Sequence, residues 1–256
     1  LQLVDGQLDA ALAAWDEEAR LAEGTGRVDD ALRTLAAMTE VCRDDERTEA
    51  ATALLVRRAE LLRDVKLDLS GAAQLLDEAW GVAPTLALAR EGLALARRRA
   101  DRESEIDWLE RVLSRLAGPL EQAVAFVQLA RLHLGLPAEG PGEVGSAPLL
   151  APDQAEAALK RALTLAPGLA EAEHMLLELY TQQDRLVDVA AYYEESAGRE
   201  PASPKKAELL LKAAQLYKDR AGRPHDAAAA LLAARSANPD DLSLTARVAD
   251  LLVELG

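Results

Sequence analysis

"PGLAEAEHMLLELYTQQDRLVDVAAYYEESAGREP", residues 167–201, is the stretch on which the reading of the fold turns. It holds two amphipathic segments, "AEAEHMLLELYTQQ" and "LVDVAAYYEESAG", parted by a short polar turn at Asp184 and Arg185. In both, apolar residues recur three and four apart, the period of a helix with one buried face. Pro201 closes the second segment, because its ring removes a backbone donor and clashes with the preceding turn. The unit is a helical hairpin, and it recurs. Pro167 and Pro201 are 34 residues apart, and Pro239 follows after 38 more. That second interval carries "KKAELLLKAAQLYKD", a turn at Gly222 and then "HDAAAALLAARSA".

The N-terminal third follows the same order. "WDEEARLAEGTGRVDDALRTLAAM" places Trp15, Ala19, Ala22, Gly26, Val28, Ala31, Leu35 and Met38 along two consecutive helices. Two helices cross at short distance only where the facing residues are small. Ala takes that position on first helices at Ala19, Ala59, Ala94, Ala130, Ala214 and Ala249, and on second helices at Ala31, Ala72, Ala155 and Ala227. Leu177 and Val189 break the rule in the fifth hairpin. Prolines close second helices at Pro84, Pro167, Pro201 and Pro239, with Arg43 and Gly118 standing where two others belong. In the third hairpin either Glu105 or Ile106 occupies the small position of the second helix.

A bulky residue, a small one and an aromatic on the first helix, a turn glycine, two small residues on the second helix and a closing proline make a plan that resembles the tetratricopeptide repeat (TPR) family. The resemblance implies an all-α, right-handed superhelical solenoid of about six antiparallel hairpins. They are expected near residues 8–45, 47–84, 86–118, 119–167, 169–201 and 204–239, as one array over 1–256. A terminal unpaired helix over 240–255 carries Thr245, Val248, Ala249 and Leu252 at first-helix spacing, so it either continues the array or caps its last apolar face.

Composition agrees with helices packed through small side chains. Half of the 256 residues are hydrophobic but only 3% are aromatic, Ala and Leu dominate, and β-branched residues are sparse. A formal charge of −15 opposes a nucleic-acid backbone or an anionic membrane, so neither is an expected partner. Acidic Glu91, Asp101 and Glu103 flank the one basic run, Arg97–Arg99 with Arg102, which reads as a solvated helix face. No apolar run reaches the length of a membrane span. The lone Cys42 excludes an internal disulfide framework and leaves the compartment open, with the cytoplasm slightly favoured. Arg-rich, Asn-poor usage points to a GC-rich bacterial genome. The first residues, "LQLVDGQ", lack an initiator Met and the regions of a signal peptide, so the chain reads as an excised piece from which any targeting segment has been cut.

"GPGEVG", Gly140–Gly145, matches the G-x-G-x-x-G pattern of dinucleotide sites. That pattern binds pyrophosphate when a β-strand delivers the glycines to a helix N-terminus. Here a helix, "AVAFVQLARLHLG", precedes it, Pro141 interrupts it, and no βαβ pattern exists. The stretch is a surface loop, either mobile or in contact with a partner at the hairpin ends, within an insertion at about 135–152, about 13 residues longer than the family's spacing, and no cofactor is expected. The histidines, His133, His174 and His225, belong to different hairpins and make no metal motif. His133 takes the family's aromatic position, and His174 lies one turn before Glu178. Neighbouring carboxylates such as Asp16 and Glu17, Glu194 and Glu195, or Asp240 and Asp241 diverge by about 100° on a helix and read as solvated faces and caps. No catalytic residue is expected. Trp80 belongs to an apolar stripe with Leu75, Leu76 and Ala79. Trp108 either flanks Leu109 in the core or stands exposed. Tyr192 and Tyr193 cannot both face inward.

The resemblance implies a concave surface lined by first helices, suited to a protein or peptide partner. Groove candidates are Glu60, Arg63, Glu91, Leu95, Arg98, Val127, Arg131, Leu134, His174, Glu178, Leu211 and Gln215. Their mixed signs and apolar members fit a segment with apolar anchors and some charge. Chaperone-binding members clamp a carboxylate with Lys and Asn, but this chain has only Asn238, so that activity is not carried over. The alternatives are a structural spacer or self-assembly segment, joined through array ends with an empty groove, and a regulatory arm of an enzyme.

Overall fold

The structure is a computed structural model and describes residues 2–140 and 150–254. Thirteen α-helices and one π-helical turn account for its regular elements, with no strand among the described residues. The chain forms two compact units, Leu1–Leu132 and His133–Gly256. The first holds α1 (Gln2–Gly24), α2 (Val28–Asp44), α3 (Thr48–Leu61), the π-turn Leu62–Lys66, α4 (Leu69–Val82), α5 (Leu86–Arg99), α6 (Arg102–Leu113) and α7 (Pro119–His133), up to the last residue of that helix. The second holds α8 (Pro152–Leu165), α9 (Ala170–Gln182), α10 (Leu186–Arg199), α11 (Pro204–Asp219), α12 (Pro224–Ala237) and α13 (Leu242–Glu254).

Within each unit successive helices pack on one another, α1 to α6 in the first and α8 to α13 in the second. This nearest-neighbour packing is the mark of a helical-repeat fold. The ends of the helices follow from local chemistry. Asp68, Thr85, Asp101 and Ser203 cap α4, α5, α6 and α11 by accepting from the amides of Gly71, Leu88, Ser104 and Lys206. Pro152, Pro204 and Pro224 open α8, α11 and α12, where a missing amide costs nothing.

Most of the small residues are where close crossing requires them. In the first unit Ala19, Ala59 and Ala130 are buried, as are Ala31 and Ala72. In the second, Ala214, Ala155 and Ala227 are buried. The expectation fails at Ala94 and Ala249, which are exposed. On α5 the close approach falls instead on Gly92, against which the Trp108 indole is seated. A Cβ there would lie 2.2 Å from Cδ2 of Trp108. Of the two places open to it, Trp108 therefore takes the core. Trp80 meets it edge-on at 6.0 Å, and the Arg111 guanidinium lies 4.0 Å from the Trp108 ring centre. Glu105, a candidate for the small position of α6, binds Arg97 at 2.9 Å instead. On α13 the burial falls to Leu244 and Val248.

The hairpin turns share a left-handed residue: Gly26, Leu67, Ala100, Asp184 and Gly222, with φ between 52° and 75°. Only two of the five are glycine, so side chains at the other three carry the cost of that conformation.

These two positions yield opposite expectations in urea denaturation followed by circular dichroism. Gly92→Ala destabilises by about 1–3 kcal/mol or more, because the indole has no room to retreat. Ala100→Gly stabilises by about 1 kcal/mol, because it removes the left-handed penalty.

Candidate functional site

The sequence candidates fall into three groups. Leu95, Val127, Arg131, Leu134 and Leu211 are buried and present no surface to a partner. Glu60, Arg63, Glu91 and Arg98 gather in the first unit, on α3, its π-turn and α5. His174, Glu178 and Gln215 lie in the second unit, on α9 and α11.

The first-unit cluster is organised by a residue the sequence reading passed over, Asp64. Arg63 donates two hydrogen bonds to it, at 2.9 and 2.7 Å, and Arg98 approaches the same carboxylate at 3.5 Å. Hydrogen bonding from Arg63 holds the Asp64 carboxyl below its ordinary range. Both guanidinium groups therefore lean on Asp64. Glu60 and Glu91 are left without an ion pair among the described residues. Burial pushes the half-buried Glu91 carboxyl upward and the neighbouring Glu60 adds to this, with Arg63 opposing. The cluster thus carries two underneutralised carboxylates, one of them partly desolvated.

In the second unit the exposed His174 has Nδ1 3.7 Å from Glu178 Oε2. Gln215 borders a shallow cleft with Tyr193 and Lys212, whose Nζ lies 5.7 Å from the tyrosine ring centre. A larger polar network ties α8, α9 and α10 together. Glu156 accepts from Tyr180 Oη at 2.9 Å, from Lys160 Nζ at 2.7 Å and from Arg185, whose guanidinium also lies 4.5 Å from the Tyr180 ring centre. Burial alone would raise the Glu156 carboxyl, but bonds from Arg185, Lys160 and Tyr180 outweigh it and bring it down to about 2. Cys42 is buried, and burial pushes its thiol up, away from a reactive thiolate. Apart from Gly140, the GPGEVG stretch lies outside the described residues. Among the described residues no helix is long and apolar enough to cross a membrane.

No family model matches the chain, and no curated protein matches it. Solved structures do. A tetratricopeptide repeat protein from Parabacteroides merdae is 14% identical, covers 96% of this chain and 98% of its own, and superposes with a TM-score of 0.38. YrrB, described as a TPR protein with an unusual peptide-binding site, is 16% identical, covers 77% of this chain and 91% of its own, with a TM-score of 0.36. The TPR domain of P58(IPK) is 17% identical, covers 96% of this chain and 78% of its own, with a TM-score of 0.33. At such identities and scores, what carries the repeat is the chain's own helix pairs, small crossing residues and left-handed turns. They define an all-α, TPR-like helical-repeat protein.

Asp64 escaped the sequence reading because the π-turn adds a residue to the helical phase, and nothing in "LRDVK" announces it. The Glu156 network was partly legible, as Glu156 and Lys160 are one turn apart on α8, but Tyr180 and Arg185 join only through packing.

Glu156→Gln is expected to cost about 1–3 kcal/mol at neutral pH. The folded carboxyl titrates at about 2, below its ordinary 4.5, so the unfolded chain takes up the proton first. This contribution is complete above that ordinary value and is lost as pH falls towards 2. Urea midpoints of wild type and variant should therefore converge across that window.

Proposed function

We propose that the chain is a non-catalytic scaffold that holds a segment of a partner protein against the first-helix face of its first unit. The observation that carries this reading is the pair Glu60 and Glu91. Two carboxylates, one half-buried, stand without an ion pair among the described residues while the nearby arginines are drawn onto Asp64. A basic residue of a partner segment would relieve both the repulsion and the desolvation, giving local electrostatic complementarity. Arg98, about half exposed, adds a site for an acidic neighbour on the same segment. Such a mixed-sign surface suits a protein segment better than a uniformly charged polymer.

A second reading, self-association, draws on α13. Leu242 and Val253 are 82% and 81% exposed there, beside the partly buried Leu251 and Leu252. Apolar exposure of that kind marks a contact surface. Light scattering over a concentration series separates the readings: mass that grows with concentration in wild type but not in Leu242→Ser/Val253→Ser supports self-association.

The scaffold reading is tested by affinity capture with wild type and Glu60→Lys/Glu91→Lys side by side. Charge reversal at these surface positions should leave the circular dichroism unchanged and reduce recovery of the captured partner at least about tenfold. Equal recovery by both proteins would move the binding surface elsewhere.

A further inference from the structure

The fifth hairpin has large side chains at both of its small positions. Leu177 and Val189 stand where small residues belong, and α9 and α10 touch far less than α11 and α12 do. Larger side chains at a crossing hold the axes apart. Two clefts flank Tyr192. One cleft of about 500 Å3 runs between α8, α9 and α10, and another of about 400 Å3 lies between α9, α10 and the start of α11. Glu173, Leu177, Tyr192, Tyr193, Ser196 and Leu209 line the second.

Its polar groups are incomplete. Tyr192 is only 8% exposed, and its hydroxyl and that of Ser196 are enclosed, close to each other and to Glu173 but in no well-formed hydrogen bond. Glu173 stands beside the phenol, within the field of Lys205 but in no ion pair among the described residues. The cations at the rim are already engaged, Arg199 by Glu195 at 2.6 Å and Lys205 by Glu200. What remains is three oxygen atoms or groups carrying one negative charge. They lie beside two tyrosine rings set edge to face at 6.4 Å, with Leu177 and Leu209 as apolar wall.

The chemistry of that set is selective. An anion would meet Glu173, and a hydrocarbon would leave both hydroxyls unsatisfied. An ammonium group has three donors and no acceptor, gains a counter-ion, and is attracted by aromatic faces. We propose that this cleft binds a primary ammonium group on an aliphatic stem of about four or five carbons, the chemistry shared by a free polyamine and a lysine side chain. It shares no residue with the first-helix face, so it stands or falls separately from the scaffold reading.

The test titrates the intact protein at neutral pH and fixed salt with 1,5-diaminopentane and, in parallel, Nα-acetyl-lysinamide, following the tyrosine ring signals by NMR. Pentan-1-ol and pentanoate serve as the neutral and anionic comparators. At least one amine should shift the Tyr192 and Tyr193 signals saturably while neither comparator does. Glu173→Gln should weaken that binding about tenfold, with the circular dichroism unchanged. Tyr192→Phe, which keeps the ring, should weaken it about three- to tenfold. Tighter binding of the diamine identifies a free polyamine as the ligand, and tighter binding of the lysinamide a lysine side chain. The proposal is overturned if neither amine saturates below about 50 mM, if pentan-1-ol acts equally, or if Glu173→Gln binds as wild type does.

Discussion

Close approach of paired helices at their crossing is the constraint on which the rest of the structure depends. A helix of 13 to 17 residues with one apolar face cannot bury that face alone, and here few aromatic side chains exist to fill a wide gap. The alternative is to bring backbones together over small residues, and α1 and α2 do so with Ala19 and Ala31 fully buried and Leu35 and Met38 packed around them. The same logic reaches its limit at Gly92, where even a methyl group would collide with Trp108. Because each helix is satisfied by its sequence neighbours, the opposite faces of the first helices are released from packing. That release makes a surface such as the one bearing Glu60 and Glu91 available.

Small crossing residues fix how near two helices come, but they say little about how far one slides along the other. Polar ties between hairpins supply that register. Asp16 on α1 meets Arg57 on α3 at 2.6 Å, Arg43 on α2 meets Glu78 on α4 at 2.6 Å, and Asp77 on α4 meets Arg111 on α6 at 2.6 Å. Glu156 and Arg185 do the same for α8 and α10. Each tie joins a helix to its counterpart in the next hairpin, skipping the helix between. Being half-exposed, each is worth only about 0–1 kcal/mol. Their shared effect is geometric, since a slide of one helical turn would break several at once. Arginine suits this role because its planar fork holds direction as well as charge. Many of the arginines are thereby bound to neighbouring hairpins, so the acidic residues left over give the outer surface its negative sign.

Periodicity and prolines made the helical hairpins legible, because both act within one helix and its ends. Ala at the crossings was legible for the same reason. What packing decides between helices was not. Ala94 and Gly92 are two residues apart, and only the Trp108 indole, arriving from α6, selects Gly92 for the contact. Leu67 and Ala100 adopt the left-handed turn that glycine would mark, so the sequence signals find the turns at Gly26, Asp184 and Gly222 and pass over these two. Among the candidate surface residues, Leu95, Val127, Leu134 and Leu211 read as groove-facing by the family resemblance but fall on the wide apolar arc that small crossing residues require. Arg131 is buried with them. Asp64 was hidden by the π-turn, which rotates the end of α3 out of the phase that spacing assumes.

The fifth hairpin shows the same constraint by its violation. Leu177 and Val189 were visible in the sequence as exceptions, but an exception has two physical outcomes: neighbouring side chains grow inward to fill the space, or the helices part and the space stays open. Filling needs bulk directed at the gap, and α10 supplies it in Tyr192, whose ring divides the opening without closing it. A phenol is a costly filler there, since an apolar ring of the same shape would leave no hydroxyl to satisfy. Ser196, one turn further along, adds a second enclosed oxygen where alanine would have packed equally well. Two polar atoms placed where apolar ones would be more stable, in a hairpin whose helices touch little, are better explained by something that enters the gap than by the demands of folding.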